Sequence, residues 1–139
     1  MSPSTSRKKT SFLFPIFVSI LILDQLSKYL ASTVGFQIVC NRGVAFGIGN
    51  VGFVVPILVL AIIFWLLVRE KLLYSRVGFV LIFGGGVSNL IDRIYFGCVR
   101  DFIAISDFPT FNLADSAITV GVIILVFSLL KNNSDRDET

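Results

Sequence analysis

The chain has 139 residues, 55% of them hydrophobic and 15% charged, with a mean hydropathy of +0.86. Charge is well below the roughly 25% usual in soluble domains, so the composition excludes an ordinary water-soluble globule and points to one polytopic membrane domain. The absence of histidine removes Ser-His-Asp triads, Cys-His dyads and HExxH zinc sites, and the net charge of +3 reads as membrane topology, not as a nucleic-acid signal.

Residues 1–10 are polar, carry Arg7, Lys8 and Lys9, and read as a disordered cytoplasmic N-terminus. An apolar run from Ser11 to about Ala31 is the first expected span. Asp24 and Lys28 interrupt it where a secretory signal would prepare its cleavage site, so it reads as a retained helix. From Gly43 to Val68 there is no charge. Its glycine-rich first part reads as loop, and a second helix is expected over Phe53–Val68 with Pro56 in the first turn. Arg69–Arg76 reads as a charged connector, Val77 to about Ile94 as the third span, and Ser116–Leu130 as the fourth. The tail after Leu130 is polar and reads as disordered. The expectation is an all-α membrane protein: a four-span domain over 11–131 between disordered ends at 1–10 and 132–139.

Four spans place both termini on one face. Most of the 12 basic residues collect there (Arg7, Lys8, Lys9, Arg69, Lys71, Arg76, Lys131 and Arg136), which makes that face cytoplasmic. Lys28, Arg42, Arg93 and Arg100 fall at the opposite face, together with Asp24, Asp92, Asp101, Asp107 and Asp115. The polar chemistry therefore gathers near the outer leaflet.

Two glycine motifs carry no chemistry. Gly47–Gly52 matches GxGxxG but has no preceding strand and runs into a span, so it is not a dinucleotide fingerprint. Gly84–Gly86 lies inside a span, where small residues serve close helix packing. Cys40 and Cys98 are too few for a metal cage and read as small apolar filler. A disulfide between them would require both to face an oxidising side. Asp24 and Lys28 share a helix face at i,i+4, either as an intrahelical ion pair or as a contact to the site. Asn89 and Arg93 share a face likewise and are suited to fix a carboxylate from a neighbouring segment. Asn112 is placed to cap the last helix, with Asp115 at the third helical position. Asp101 and Asp115 thus have two readings at this point. One is a loop acid and a capping acid. The other is a pair that shares a proton and performs acid-base chemistry on water and a peptide bond.

Five segments in order resemble one family: Asp24–Lys28 (DQLSK), Asn41–Gly47 (NRGVAFG), Asn89–Arg93 (NLIDR), Gly97–Phe102 (GCVRDF) and Phe111–Ala117 (FNLADSA). The family is lipoprotein signal peptidase, or signal peptidase II. The resemblance implies a membrane-embedded aspartyl endopeptidase of the bacterial inner membrane with both termini cytoplasmic. It implies cleavage of the signal peptide from prolipoproteins just before a diacylglyceryl-modified cysteine. Asp101 and Asp115 would be catalytic; Asn41, Asn89, Arg93 and Asn112 would line the site, with Asp24 and Lys28 supporting it. No metal or cofactor is implied. The partners would be prolipoprotein substrate, membrane lipid and globomycin-type inhibitors, with no nucleic acid and a monomeric enzyme. A small extracytoplasmic β element would fall within Phe36–Ile48 and a flexible extracytoplasmic loop within Ala104–Phe111. Two positions depart from the family pattern. Ser88 replaces a glycine, and Arg100 replaces an apolar residue next to Asp101, where a cation would favour the ionised carboxylate. Asp92 reads as structural and Asp107 as a solvated loop charge.

Two rivals come from other classes. A small ion or proton carrier would use the same acids as a relay, but the inner half of every span is free of charge. A Ser-Lys protease would need Lys28 to lose its proton, and Asp24 one turn away opposes that.

Overall fold

The computed structural model of the protein describes residues 11–43 and 53–137. The expected disordered N-terminus and most of the glycine-rich loop after Asn41 lie outside the described residues. Four helices dominate: α1 (Leu13–Val34), α2 (Val54–Arg69), α3 (Leu73–Phe96) and α4 (Leu113–Asp137). Between them lie β1 (Val39–Asn41), β2 (Val99–Asp101), β3 (Ile103–Ile105) and β4 (Phe108–Phe111). β1 pairs antiparallel with β2 in the register Val39↔Asp101, Cys40↔Arg100 and Asn41↔Val99. β3 and β4 form a separate antiparallel hairpin.

Among the described residues, three helices are long and apolar enough to cross a membrane: Leu13–Val34, Leu73–Phe96 and the Leu113–Asn133 part of α4. α2 is apolar but has 16 residues, about 24 Å of helix against a hydrocarbon core of roughly 30 Å. Pro56 is its third residue, where a missing N–H costs nothing. Burial is inverted relative to a soluble bundle. Phe14, Tyr74 and Phe127 are 69–74% exposed, whereas Asp24, Lys28, Ser88, Asp92, Asp101 and Asn112 are fully buried. A lipid-facing exterior with satisfied polar groups inside is the arrangement a bilayer selects.

α3 packs against each of the other three helices, and its glycine triplet shows how. A Cβ on Gly84 would meet Ile20 of α1, one on Gly85 would meet the backbone oxygen of Ala114 in α4 at 2.5 Å, and one on Gly86 would meet Leu60 of α2. Further along, Gly78 and Gly121 face each other's backbone oxygens across the α3–α4 seam. Small residues let these backbones approach closely, which substitutes for hydrophobic burial between helices in lipid. Phe83 joins the ring of Phe17 on α1 to that of Phe64 on α2. At the far end of the seam the Ser75 and Ser128 hydroxyls bond at 2.7 Å.

Several boundaries differ from the sequence expectation. The connector after α2 is only Glu70–Leu72, because Leu73–Arg76 already forms the first turn of α3. Two backbone N–H groups there bond the Glu70 carboxylate, which ends one helix and turns the chain into the next. α4 begins at Leu113 and continues through Asp137, so the expected disordered tail is helical to that point. The expected flexible loop before α4 is a hairpin, turned by Ser106 at φ 45°. Cys40 and Cys98 are not apolar filler; they are bonded to each other.

Candidate active site

Among the described residues the buried carboxylates lie at one end of the bundle, where α1 ends, α3 delivers its last turns and α4 begins. Asn112 organises them. Its backbone precedes the first helical residue of α4, its Oδ1 accepts the Asp115 N–H at 2.9 Å, and its own N–H donates to Asp115 Oδ2 at 3.2 Å. This is a reciprocal capping box, which satisfies backbone N–H groups that have no intrahelical partner. The same side chain points its Nδ2 at Asp101 Oδ1 (2.7 Å) and at Asn89 Oδ1 (3.1 Å). Asn89 Nδ2 in turn donates to Asp115 Oδ1 at 2.8 Å. The capping contacts and a link between the two aspartates therefore run through one residue.

Asp101 ends β2 and is fully buried. Its second oxygen accepts Asn41 Nδ2 from β1 at 3.0 Å. Asn41 Oδ1 is held by the Gly43 N–H at 2.9 Å, which fixes the amide's orientation. Burial raises the Asp101 pKa above the usual carboxylate value, and the negative charge of Asp115 adds to this. The Asn41 and Asn112 amides and the Lys28 charge pull the other way without cancelling it. Arg93, half-buried on α3, feels the charges of both Asp115 and Asp101. It makes no hydrogen bond to either among the described residues, so of the two residues expected to fix a carboxylate only Asn89 bonds one.

Beneath this pair lies a second layer. Lys28 is fully buried and meets Asp24 Oδ2 at 2.7 Å, Asp92 Oδ2 at 3.0 Å and Asn89 Oδ1 at 3.2 Å. The expected Asp24–Lys28 ion pair forms, and the lysine also bonds the Asn89 side chain. Asp24 further accepts the Ala114 N–H (2.8 Å) and the Ser88 hydroxyl (2.6 Å). It thereby ties α1 to the first turn of α4. Ser88 is thus a working member of the network, and also accepts from Gln25 Nε2 at 3.0 Å.

Arg100 corrects an expectation. Successive strand residues point to opposite faces, so its side chain turns away from Asp101. Its Nη2 donates to Asp92 Oδ1 and Gln25 Oε1, each at 2.8 Å, and its backbone N–H reaches Asp92 Oδ2 at 2.9 Å. The guanidinium also lies 4.0 Å from the Phe96 ring centre. Arg100 and Asp92 therefore clamp β2 onto α3, and Asp107 is exposed in the hairpin turn. Gln25 and the Ala114 N–H went unnoticed in sequence. The available signal was the Ser88 and Asp92 spacing of one helical turn, a second polar stripe beside that of Asn89 and Arg93.

Residues 16–131 match the family described as signal peptidase (SPase) II. The chain belongs to the signal peptidase II family. Lipoprotein signal peptidases of Staphylococcus aureus strains JH9 and Newman are 35% identical to it, the match covering 93% of this chain and 93% of theirs. Two solved bacterial membrane enzymes superpose with TM-scores of 0.76 and 0.73 at 32% identity, covering 91% and 86% of this chain and 92% of each of theirs. As a signal peptidase II, the protein is an aspartyl-type membrane peptidase.

Proposed function

We propose that this signal peptidase II removes the signal peptide from diacylglyceryl-modified prolipoproteins, with Asp101 and Asp115 as the catalytic pair. One observation carries the assignment: Asn112 bonds Asp101 through its side chain and Asp115 through its backbone N–H. The two carboxylates thus flank one site as a coupled pair that shares a proton. A water held between them attacks the scissile carbonyl. The ionised member takes the water's proton, the protonated member donates to the carbonyl oxygen, and the roles reverse to release the amine. Asn41, Asn89 and Asn112 hold the carboxylates in register. Arg93 limits the cost of negative charge in the pair.

The substrate's acyl chains lie against the exposed apolar helix faces. The β3–β4 hairpin covers its peptide, offering Ile105 and Phe108 at 57% and 65% exposure beside the site. All four helices span the bacterial inner membrane, both termini are cytoplasmic, and the site faces the outer leaflet. The Cys40–Cys98 bond at the site end supports this orientation, because disulfides persist on the oxidising side. The enzyme works as a monomer and is inhibited by globomycin-type peptides. The carrier reading has no supporting observation, since the buried ion pairs gather at one end of the bundle.

The test is cleavage of a diacylglyceryl-modified prolipoprotein by the purified protein. Asp101→Asn and Asp115→Asn are each expected to lower kcat by at least a thousandfold while still accumulating in the membrane. Substantial release of signal peptide by either variant would refute the pair.

A further inference from the structure

Cys40 and Cys98 take no part in the chemistry above, yet their bond spans 58 residues of chain at the edge of the site. Cys98 is 4% exposed at the junction of α3 and β2, and Cys40 is exposed in β1. The two strands are anchored very differently. In β2, Val99 and Asp101 are buried and Arg100 is tied to Asp92 and Gln25. β1 is three residues long, exposed throughout, and among the described residues pairs only with β2. A two-stranded ribbon that short is marginal in water on its hydrogen bonds alone. Neighbouring strand residues point to opposite faces, so Cys40 and Asn41 diverge. The sulfur reaches Cys98 while the amide turns to Asp101, 3.0 Å away.

We propose that the Cys40–Cys98 disulfide is a positioning device that holds the Asn41 amide on Asp101, and that cleavage at full rate requires it to be closed. The proposal rests on Asp101 being catalytic. Closing the bond takes two protons and two electrons from the two thiols, passed to a thiol-disulfide oxidant on the side of the membrane that β1 faces. The enzyme therefore reaches full rate only after that compartment has oxidised it. Neither sulfur touches substrate; each acts through Asn41.

The test compares the oxidised protein, the same protein after a dithiol reagent, and the variants Cys40→Ser, Cys98→Ser, Asn41→Ala and Cys40→Ser with Asn41→Ala. The dithiol passes two electrons and two protons to the bond and becomes its own cyclic disulfide. It acts on already folded enzyme, and exposed Cys40 gives it access. Reduction and each single substitution are expected to lower kcat about tenfold, the scale of one hydrogen bond to a charged group, with KM changed less than twofold. The double variant should be no slower than Asn41→Ala alone, and either cysteine variant should be insensitive to dithiol. The alkaline limb of the rate profile should move to higher pH in all of them. Asn41 is a donor that favours ionised Asp101, and Asn112, Asp115, Arg93 and Lys28, the other groups acting on that carboxyl, remain. Full activity after complete reduction, or losses from Cys40→Ser and Asn41→Ala that multiply, would overturn the proposal. Failure of the catalytic assignment would look different: Asp101→Asn would then cleave with the disulfide intact.

Discussion

Asn112 caps α4 through its oxygen and links Asp101 to Asn89 through its nitrogen, and substitution can separate the two roles. Asn112→Ala should lose about 1 kcal/mol of cap stability and at least a hundredfold in kcat. Asn112→Ser keeps a capping oxygen but no amide donor. It should recover the thermal midpoint without recovering kcat, and recovery of both would refute the link. The raised proton affinity of Asp101 fixes a second expectation. In a pair that shares one proton the member of raised affinity keeps it and acts as the acid, so kcat/KM should fall as pH rises and Asp101 ionises, above the ordinary carboxyl value of about 4. Deeper in the site, Lys28→Met leaves Asp24 without a cation and Asp92 with Arg100 alone. Breaking a buried ion pair on one side costs roughly 3–5 kcal/mol, which unfolding in detergent would register. At this scale the sequence was most legible where chemistry forces a rare residue type. With no histidine in the chain, the acids stood out as candidates, and the structure gathers Asp101 and Asp115 around Asn112. The sequence was least legible where partners are distant in the chain, as with Arg100, Gln25 and Asp92, because strand alternation and helix register decide direction only once the elements meet.

Among the elements, α3 sets the spacing of the site, and each glycine of its triplet answers to a different neighbour. Gly85→Ala would press a methyl group against the Ala114 backbone oxygen, 2.5 Å from the ideal Cβ. Backbone cannot swing aside, so the first turn of α4 must move, and Asp115 with it. We expect at least a tenfold fall in kcat. Gly86→Ala should be mild by comparison, because it meets only the end of the Leu60 side chain. The hairpin gives a contrasting expectation. Phe108→Ser removes exposed apolar surface without touching the aspartates, so KM should rise several-fold while kcat holds. The four helices were readable as apolar runs, whereas their ends were not. α3 starts at Leu73 because Glu70 turns the chain there, and α4 runs to Asp137 past the point where hydropathy fades. The hairpin was unreadable as strand because β3 and β4 are three and four residues long.

Taken whole, the molecule is polarised, with buried carboxylates, both sheets and the disulfide at one end and the basic helix ends Arg69, Lys71, Arg76 and Lys131 toward the other. A membrane-impermeant thiol reagent applied to intact cells should label Asp107→Cys, and should label Lys131→Cys only after permeabilisation. The reverse pattern would invert the proposed orientation. The overall architecture was legible because lipid demands long apolar stretches and the basic residues mark their ends. The inverted interior was not, since hydropathy does not say which polar groups find one another. Asn112 and its capping box have a consequence for how the enzyme comes into being. Synthesis delivers Asp24, Lys28, Asn89 and Asp101 before the helix that carries Asp115. Until the first turn of that helix nucleates, Asp101 lacks its amide donor from Asn112, and Asn89 has no carboxylate to hold. Nucleation is the slow, unfavourable step of helix formation. A ribosome-bound chain therefore carries the residues of the proposed site unassembled, and the site closes only with completion of the last helix.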